Sequence, residues 1–154
     1  MEWVLRLDET DKRLLRIIQQ DSRIPLQKIA RKLGVPKSTV HYRIGRLERE
    51  KIIEGYYAKL NATKLGYDYV AVVLVRAKYG PRYHKKVGLK LSKMTGVSAV
   101  YYVLGDYDFI VLMRAINRED YMQKLERLSS MTDIERTSTQ VVGRVVKEDP
   151  RIDA

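Results

Sequence analysis

A chain of 154 residues and 18.0 kDa, 45% hydrophobic and 32% charged, is long enough for one ordinary domain or two small ones and too apolar to be disordered or collagenous. It has no cysteine, which excludes disulfides, thiolate metal sites and cysteine nucleophiles and suits a reducing cytoplasm. Its 30 Lys and Arg against 19 Asp and Glu leave a net charge of +11, which points to a polyanionic partner.

Glu2, Arg6, Asp8 and Glu9 leave no apolar core of the kind a secretory signal needs, and the longest apolar run, Val70 to Val75, is too short for a bilayer. Asp8 predicts an N-cap for a helix from about Glu9 to Gln20, with Leu14, Ile17 and Ile18 on one face. A second helical set, Leu26, Ile29, Ala30 and Leu33, ends at Gly34, where the chain leaves the helix through a positive φ. Pro36 holds Val35 extended and opens a third helix whose Val40, Ile44 and Leu47 face inward. Small Ala30 lets the helices approach, Gly34 makes the turn and Val40 fills the angle, which together predict a helix-turn-helix. The spacing departs from the commonest form of that motif at Ile44, with Arg43 just before it, so a slightly different rotation of the third helix is expected.

With its aliphatic side anchored, that helix leaves Lys37, Ser38, Thr39, His41, Tyr42, Arg43, Arg46 and Arg49 to face outward or sideways. These are residue types that meet DNA: cations for phosphates and guanine edges, hydroxyls for phosphates and bases, rings that hydrogen-bond or stack. Residues 21–51 hold nine Lys or Arg and three acids, a net +6 and more than half of the chain's excess. A basic helix by itself is usually a solvated face; the turn and the clustering favour the DNA reading.

Glu54 to Asn61 reads as a short strand leaving this module, and Asn61 to Gly66 as a turn-rich connector. The expected parts are therefore a helix-turn-helix domain at 1–53, a connecting strand and linker at 54–66, and a second domain at 67–154. Asn61-Ala62-Thr63 matches a glycosylation sequon, an accidental match in a chain with no secretion signal. Tyr69 to Ala77 predicts a strand, and Pro81 starts a helix with Tyr83, Val87, Leu91 and Met94 on one side. Val97 to Leu104 and Asp108 to Ala115 are two more strands joined across Gly105-Asp106-Tyr107. Asn117 caps a helix bearing Tyr121, Leu125 and Leu128, and Ile134 to Lys147 is a last long strand. The order βαββαβ predicts an α+β fold, a ferredoxin-like sandwich with both helices on one face of a four-stranded antiparallel sheet. Val73, Val75, Val100, Val111, Val142 and Val146 alternate over both faces, so a second copy packed sheet on sheet is expected to cover the other one.

Enzyme chemistry is sparse. There is no HExxH, no phosphate-binding GxxxxGK[ST] and no dinucleotide glycine pattern, and His41 and His84 fall in basic helices away from any nucleophile. Asp106 and Asp108 make a carboxylate pair with no metal-ligand cluster or base beside it, so neither catalysis nor a metal is expected. Two Asn and no Cys in a highly charged chain suit a thermophile.

Several short tracts recur in a meaningful order: Leu7-Asp8 with Asp11 opening the first helix, Ile29-Ala30 through Gly34 in the turn, and Arg43, Arg46 and Leu47 late in the third helix. Gly55 follows the double Ile, and Gly105-Asp106-Tyr107-Asp108 joins two strands. In that order they resemble the Lrp/AsnC family, the leucine-responsive or feast/famine transcription regulators, over nearly the whole chain. Tyr102 to Phe109 and Glu135 to Gln140 look most like archaeal members, including glutamine-responsive ones. The resemblance implies binding to double-stranded DNA, no cofactor, a dimer built from the C-terminal domains and often assembled to an octamer, and a small effector, usually an amino acid, held between subunits. On that footing Asp106 and Asp108 would take the effector's ammonium, the backbone around Gly105 and Tyr107 its carboxylate, and Thr137, Ser138 and Thr139 would finish the shell. Read without the resemblance, Gly-Asp beside Tyr is a good hairpin turn and Thr is at home in strands. Glu126 is placed to reach a polar effector, although a solvated helix face is its ordinary role. Leu104 departs from the family, where a small hydroxyl residue commonly precedes the glycine, as does Thr132-Asp133, where Pro-Gly is frequent. A sequence-specific regulator is the leading expectation, and an architectural chromatin protein with little sequence specificity the alternative.

Overall fold

Helix α1 (Glu9–Gln20) starts from a reciprocal cap: the Asp11 N–H donates to the Asp8 carboxylate at 2.7 Å, and the Asp8 N–H donates back to Asp11 at 3.2 Å. Helix α2 (Leu26–Leu33) ends at Gly34 with φ +70°, and a Cβ there would meet open space, so this glycine serves backbone handedness and not close approach. Helix α3 (Lys37–Arg49) follows Pro36. Leu14, Ile29, Val40 and Leu47 are buried where the three helices meet, with Ile44 half-buried against them, as the periodicity predicts.

The structure, a computed structural model, describes residues 7–152. They fall into two units: the chain up to Lys59 together with the segment from Glu148 onward, and Leu60–Lys147. The segment that returns to the first unit is tied by a pair of 2.8 Å hydrogen bonds, Gln19 Nε2 to the Ile152 carbonyl and Ile152 N–H to Gln19 Oε1. Residues 54–61, expected as a strand, form no ladder with the described residues; extended backbone becomes a strand only when a neighbour takes its N–H and C=O groups. A 3-10 turn, Thr63–Leu65, follows.

The second unit runs β1 (Tyr69–Ala77), α4 (Tyr83–Ser92), β2 (Val97–Tyr102), β3 (Phe109–Ala115), α5 (Arg118–Ser129) and β4 (Ile134–Val141). All neighbours are antiparallel in the order β2-β3-β1-β4. Alternation sends Ala71, Val73 and Val75 of β1 and Phe109, Val111 and Met113 of β3 to one face, where Val87 and Leu91 of α4 and Tyr121 and Leu128 of α5 seal them. The last strand is shorter than expected. After Val141 the Val142 N–H still donates to the Val70 carbonyl, but β1 begins at Tyr69, so the ladder runs out and Val146 stands 91% exposed outside the sheet.

Candidate nucleic-acid interface and effector loop

On α3 the buried side is Val40 and Leu47, and the side away from it carries Ser38, His41, Tyr42 and Arg49, all exposed, with Lys37 exposed in the first turn and Thr39 half-buried. Tyr42 is 63% exposed. Arg43 and Arg46 are the exceptions, and they correct the sequence reading. Both turn toward α1: Arg43 Nη1 donates to Asp8 and Asp11 at 2.7 Å each, and Arg46 Nη2 donates to the second Asp11 oxygen at 2.5 Å. The Asp11 side chain is 1% exposed, so its charge is removed from water and needs both guanidiniums. These two arginines therefore clamp α3 to α1. Lys37, Ser38, His41, Tyr42 and Arg49 are the exposed side chains of that set, and Lys28 and Arg31 of α2 are exposed as well. Asp11 as the hub was missed; its only sequence signal is an acid in the first turn of α1, which usually means a dipole partner.

The Asp11 N–H and then the Arg43 guanidinium hold Asp8 below its ordinary value of 3.8. A folded value beneath the unfolded one adds stability that is present above the unfolded value and is lost as pH falls through the folded one. Asp8→Asn keeps a good N-cap and removes the titration. Its urea midpoint should therefore fall less steeply than that of the parent between about pH 4 and pH 2. Parallel profiles for the two proteins would remove Asp8 from the acid response.

The loop between β2 and β3 is braced from inside. Arg76 Nη1 donates to the carbonyls of Gly105 at 3.2 Å and Asp106 at 3.1 Å. Asp108 is buried and committed: Oδ2 accepts from the Ala77 N–H at 2.9 Å, Oδ1 from the Tyr83 hydroxyl at 3.1 Å, and Arg76 Nε lies 3.8 Å away. The Tyr102 hydroxyl, burial and then Asp108 push the Tyr83 phenol up. Asp108 is therefore a brace and not a free carboxylate for an ammonium, which corrects its expected role. Asp106 is exposed, Gly105 is exposed beside it, and the Tyr107 ring lies under the Arg136 guanidinium at 5.2 Å.

The three hydroxyls of β4 do not converge. Thr137 pairs with Val75 and Thr139 with Val73 on the helix-covered face, while Ser138 pairs with Leu74 on the open one. Strand alternation imposes this split. Thr139 is also engaged, accepting from the Tyr121 hydroxyl at 2.9 Å. Glu126 is exposed on α5. Among the described residues no three His, Cys, Asp or Glu gather into a metal site, and no helix is long and apolar enough to cross a membrane.

Residues 7–48 match the AsnC-type helix-turn-helix domain and residues 70–152 the Lrp/AsnC ligand binding domain. The chain belongs to the Lrp/AsnC family of transcription regulators. It is 38% identical over 147 residues to an HTH-type transcriptional regulator of Pyrococcus abyssi, covering 96% of this chain and 99% of that one. It is 36% identical over 142 residues to the HTH-type transcriptional regulator FL11 of Pyrococcus furiosus, covering 92% and 93%. Its fold superimposes on E. coli AsnC with TM-score 0.87 at 21% identity, covering 97% of this chain and 99% of that chain. A transcriptional regulator from Neisseria meningitidis solved as its L-Met complex gives TM-score 0.88 at 17% identity, covering 96% of each chain. This Lrp/AsnC regulator thus carries its helix-turn-helix in the first unit and most of its ligand binding domain in the second.

Proposed function

We propose that this Lrp/AsnC regulator binds operator DNA sequence-specifically, with α3 in the major groove. Lys37, Ser38, His41, Tyr42 and Arg49 meet the duplex, and Arg43 and Arg46 act behind them by holding the helix. The observation that carries this reading is the exposed, cationic and hydroxyl-bearing side of α3 opposite Val40 and Leu47. A homodimer packed through the open sheet face, where Val72, Leu74, Ile110 and Leu112 lie half-buried, presents two such helices about 34 Å apart, and dimers assemble further toward an octamer. The setting is the cytoplasm, with the DNA.

The effector is an amino acid, with glutamine the first candidate, and the Neisseria relative's L-Met complex supports that class. Asp106, Tyr107 and the Gly105 backbone are its contacts, with Asp108 and Arg76 fixing the loop that presents them. The test is affinity for duplexes that the protein selects from a random pool. Arg49→Ala should weaken binding to the selected sequence by about 1 to 3 kcal/mol. The parent should prefer that sequence over random DNA by roughly a thousandfold, and adding the effector should change the affinity. A preference near unity would refute the sequence-specific reading, and unchanged affinity would take Arg49 out of the interface.

A further inference from the structure

We propose that the second unit carries its own phosphate-binding surface, a basic patch with tyrosines at the entry of α4 that grips duplex DNA independently of α3. Residues 60–147 hold 15 Lys or Arg and 8 Asp or Glu, a net +7 within the chain's +11. All of that excess lies between Tyr69 and Gly105, a stretch with seven cations and no acid. Some of these cations are spent inside the unit. Arg76 braces the Gly105 loop, and Lys86 and Lys90 both contact Asp133. Lys78, Arg82 and Lys85 are exposed and have no side-chain partner among the described residues. They lie within eight residues of one another in sequence, where the chain passes from β1 into α4, with the Lys85 N–H 3.1 Å from the Arg82 carbonyl.

Aromatic residues lie in the same stretch of chain. Tyr79 is 64% exposed, with its ring 5.1 Å from that of Tyr83, and His84 lies 5.4 Å from Tyr102. Unpaired ammonium and guanidinium groups beside phenols, with no acid in their own stretch of chain, suit a continuous phosphate backbone, since each contact releases a counterion and hydroxyls donate to phosphate oxygens. Arg82 is also set in a backbone conformation that it shares with Lys51 of the first unit. Its φ is +56°, a left-handed conformation that is costly for a residue with a long side chain and that a glycine would adopt freely.

This inference rests on duplex DNA as the partner of α3, and the experiment separates the two. The full chain carrying Lys78→Gln, Arg82→Gln and Lys85→Gln is titrated against a long random-sequence duplex over a range of salt, beside the parent and a Lys37→Gln, Arg49→Gln variant. The expected result is a plot of log affinity against log salt that is shallower by about 2 to 3 for the triple variant, with an unchanged melting temperature. Arg82→Gly should raise the melting temperature and still make that slope shallower by about 1. A triple variant with the parent's slope overturns the proposal. If the α3 variant loses slope when the triple does not, only the second surface fails; if neither loses slope, the DNA reading of α3 fails as well.

Discussion

Asp11→Ala is expected to unfold the helix-turn-helix at much lower denaturant than the parent and to abolish DNA binding with it. The Asp11 carboxylate is 1% exposed and takes both arginines, so its removal leaves Arg46 with no carboxylate and Arg43 with Asp8 alone. Breaking a buried pair in this way costs about 3 to 5 kcal/mol, and here the lower end applies because the arginine side chains retain 21% and 29% of their exposure. The change also deletes the acceptor for the Asp8 N–H at the start of α1. Arg46 Nε is already buried without a partner among the described residues, so the guanidinium has no second acceptor ready on that side. Amide exchange in α1 and α3, followed beside that of β1 and β3, reads the effect on one unit against the other. Arg43→Ala should follow the same pattern more weakly, since Arg46 still meets Asp11, and the folded fraction should keep the parent's salt dependence. A salt slope reduced at full stability would instead put Arg43 on the DNA.

Gly96→Ala is expected to damage the second unit by about 2 to 4 kcal/mol, against about 1 kcal/mol for Gly34→Ala in the first. Both glycines have positive φ, +84° and +70°, so both alanines meet backbone strain. Only Gly96 adds a collision. A Cβ there would lie 2.5 Å from the Arg114 carbonyl oxygen and 2.7 Å from Lys124 Cε. The lysine stem can move, although its ammonium is held by Asp120, but the carbonyl belongs to β3 and cannot. The approach is needed because the Arg114 N–H donates to the Gly96 carbonyl at 2.7 Å, which brings the start of β2 against the far end of β3. Chemical denaturation with unit-resolved amide exchange distinguishes the two; equal losses at Gly34 and Gly96 would show that handedness, and not contact, decides both.

Much of the fold was readable because the interactions that set it are local. The Asp8 cap reaches three residues, Gly34 acts through its own φ, and the Asn117 side chain accepts from the Asp120 N–H at 2.9 Å, as its place before a helix suggests. The apolar run Tyr69–Ala77 marks β1 as a strand, but Val73, Val75 and Val111, expected among valines spread over both faces, all lie on the helix-covered one. Alternation in Ile134–Val141 also separates Ser138 from Thr137 and Thr139. The segment 54–61 has a strand's pattern but pairs with none of the described residues, because a strand is a property of two segments and sequence pattern describes one.

The sequence by itself determined the helices, the βαββαβ order and which face of α3 is aliphatic, since these follow from backbone preference and periodicity within a few residues. Only the tertiary structure decided how the charges are used. Arg43 and Arg46 meet Asp11 across separations of 32 and 35 residues, and Asp108 meets Ala77 and Tyr83 across 31 and 25. A guanidinium on a helix flank has the same local signature whether it faces phosphate or a buried carboxylate. The packing of α1 beside α3 removes Asp11 from water, and the cost of leaving that charge unpaired draws both arginines toward α1, while Lys37, Tyr42 and Arg49 stay exposed.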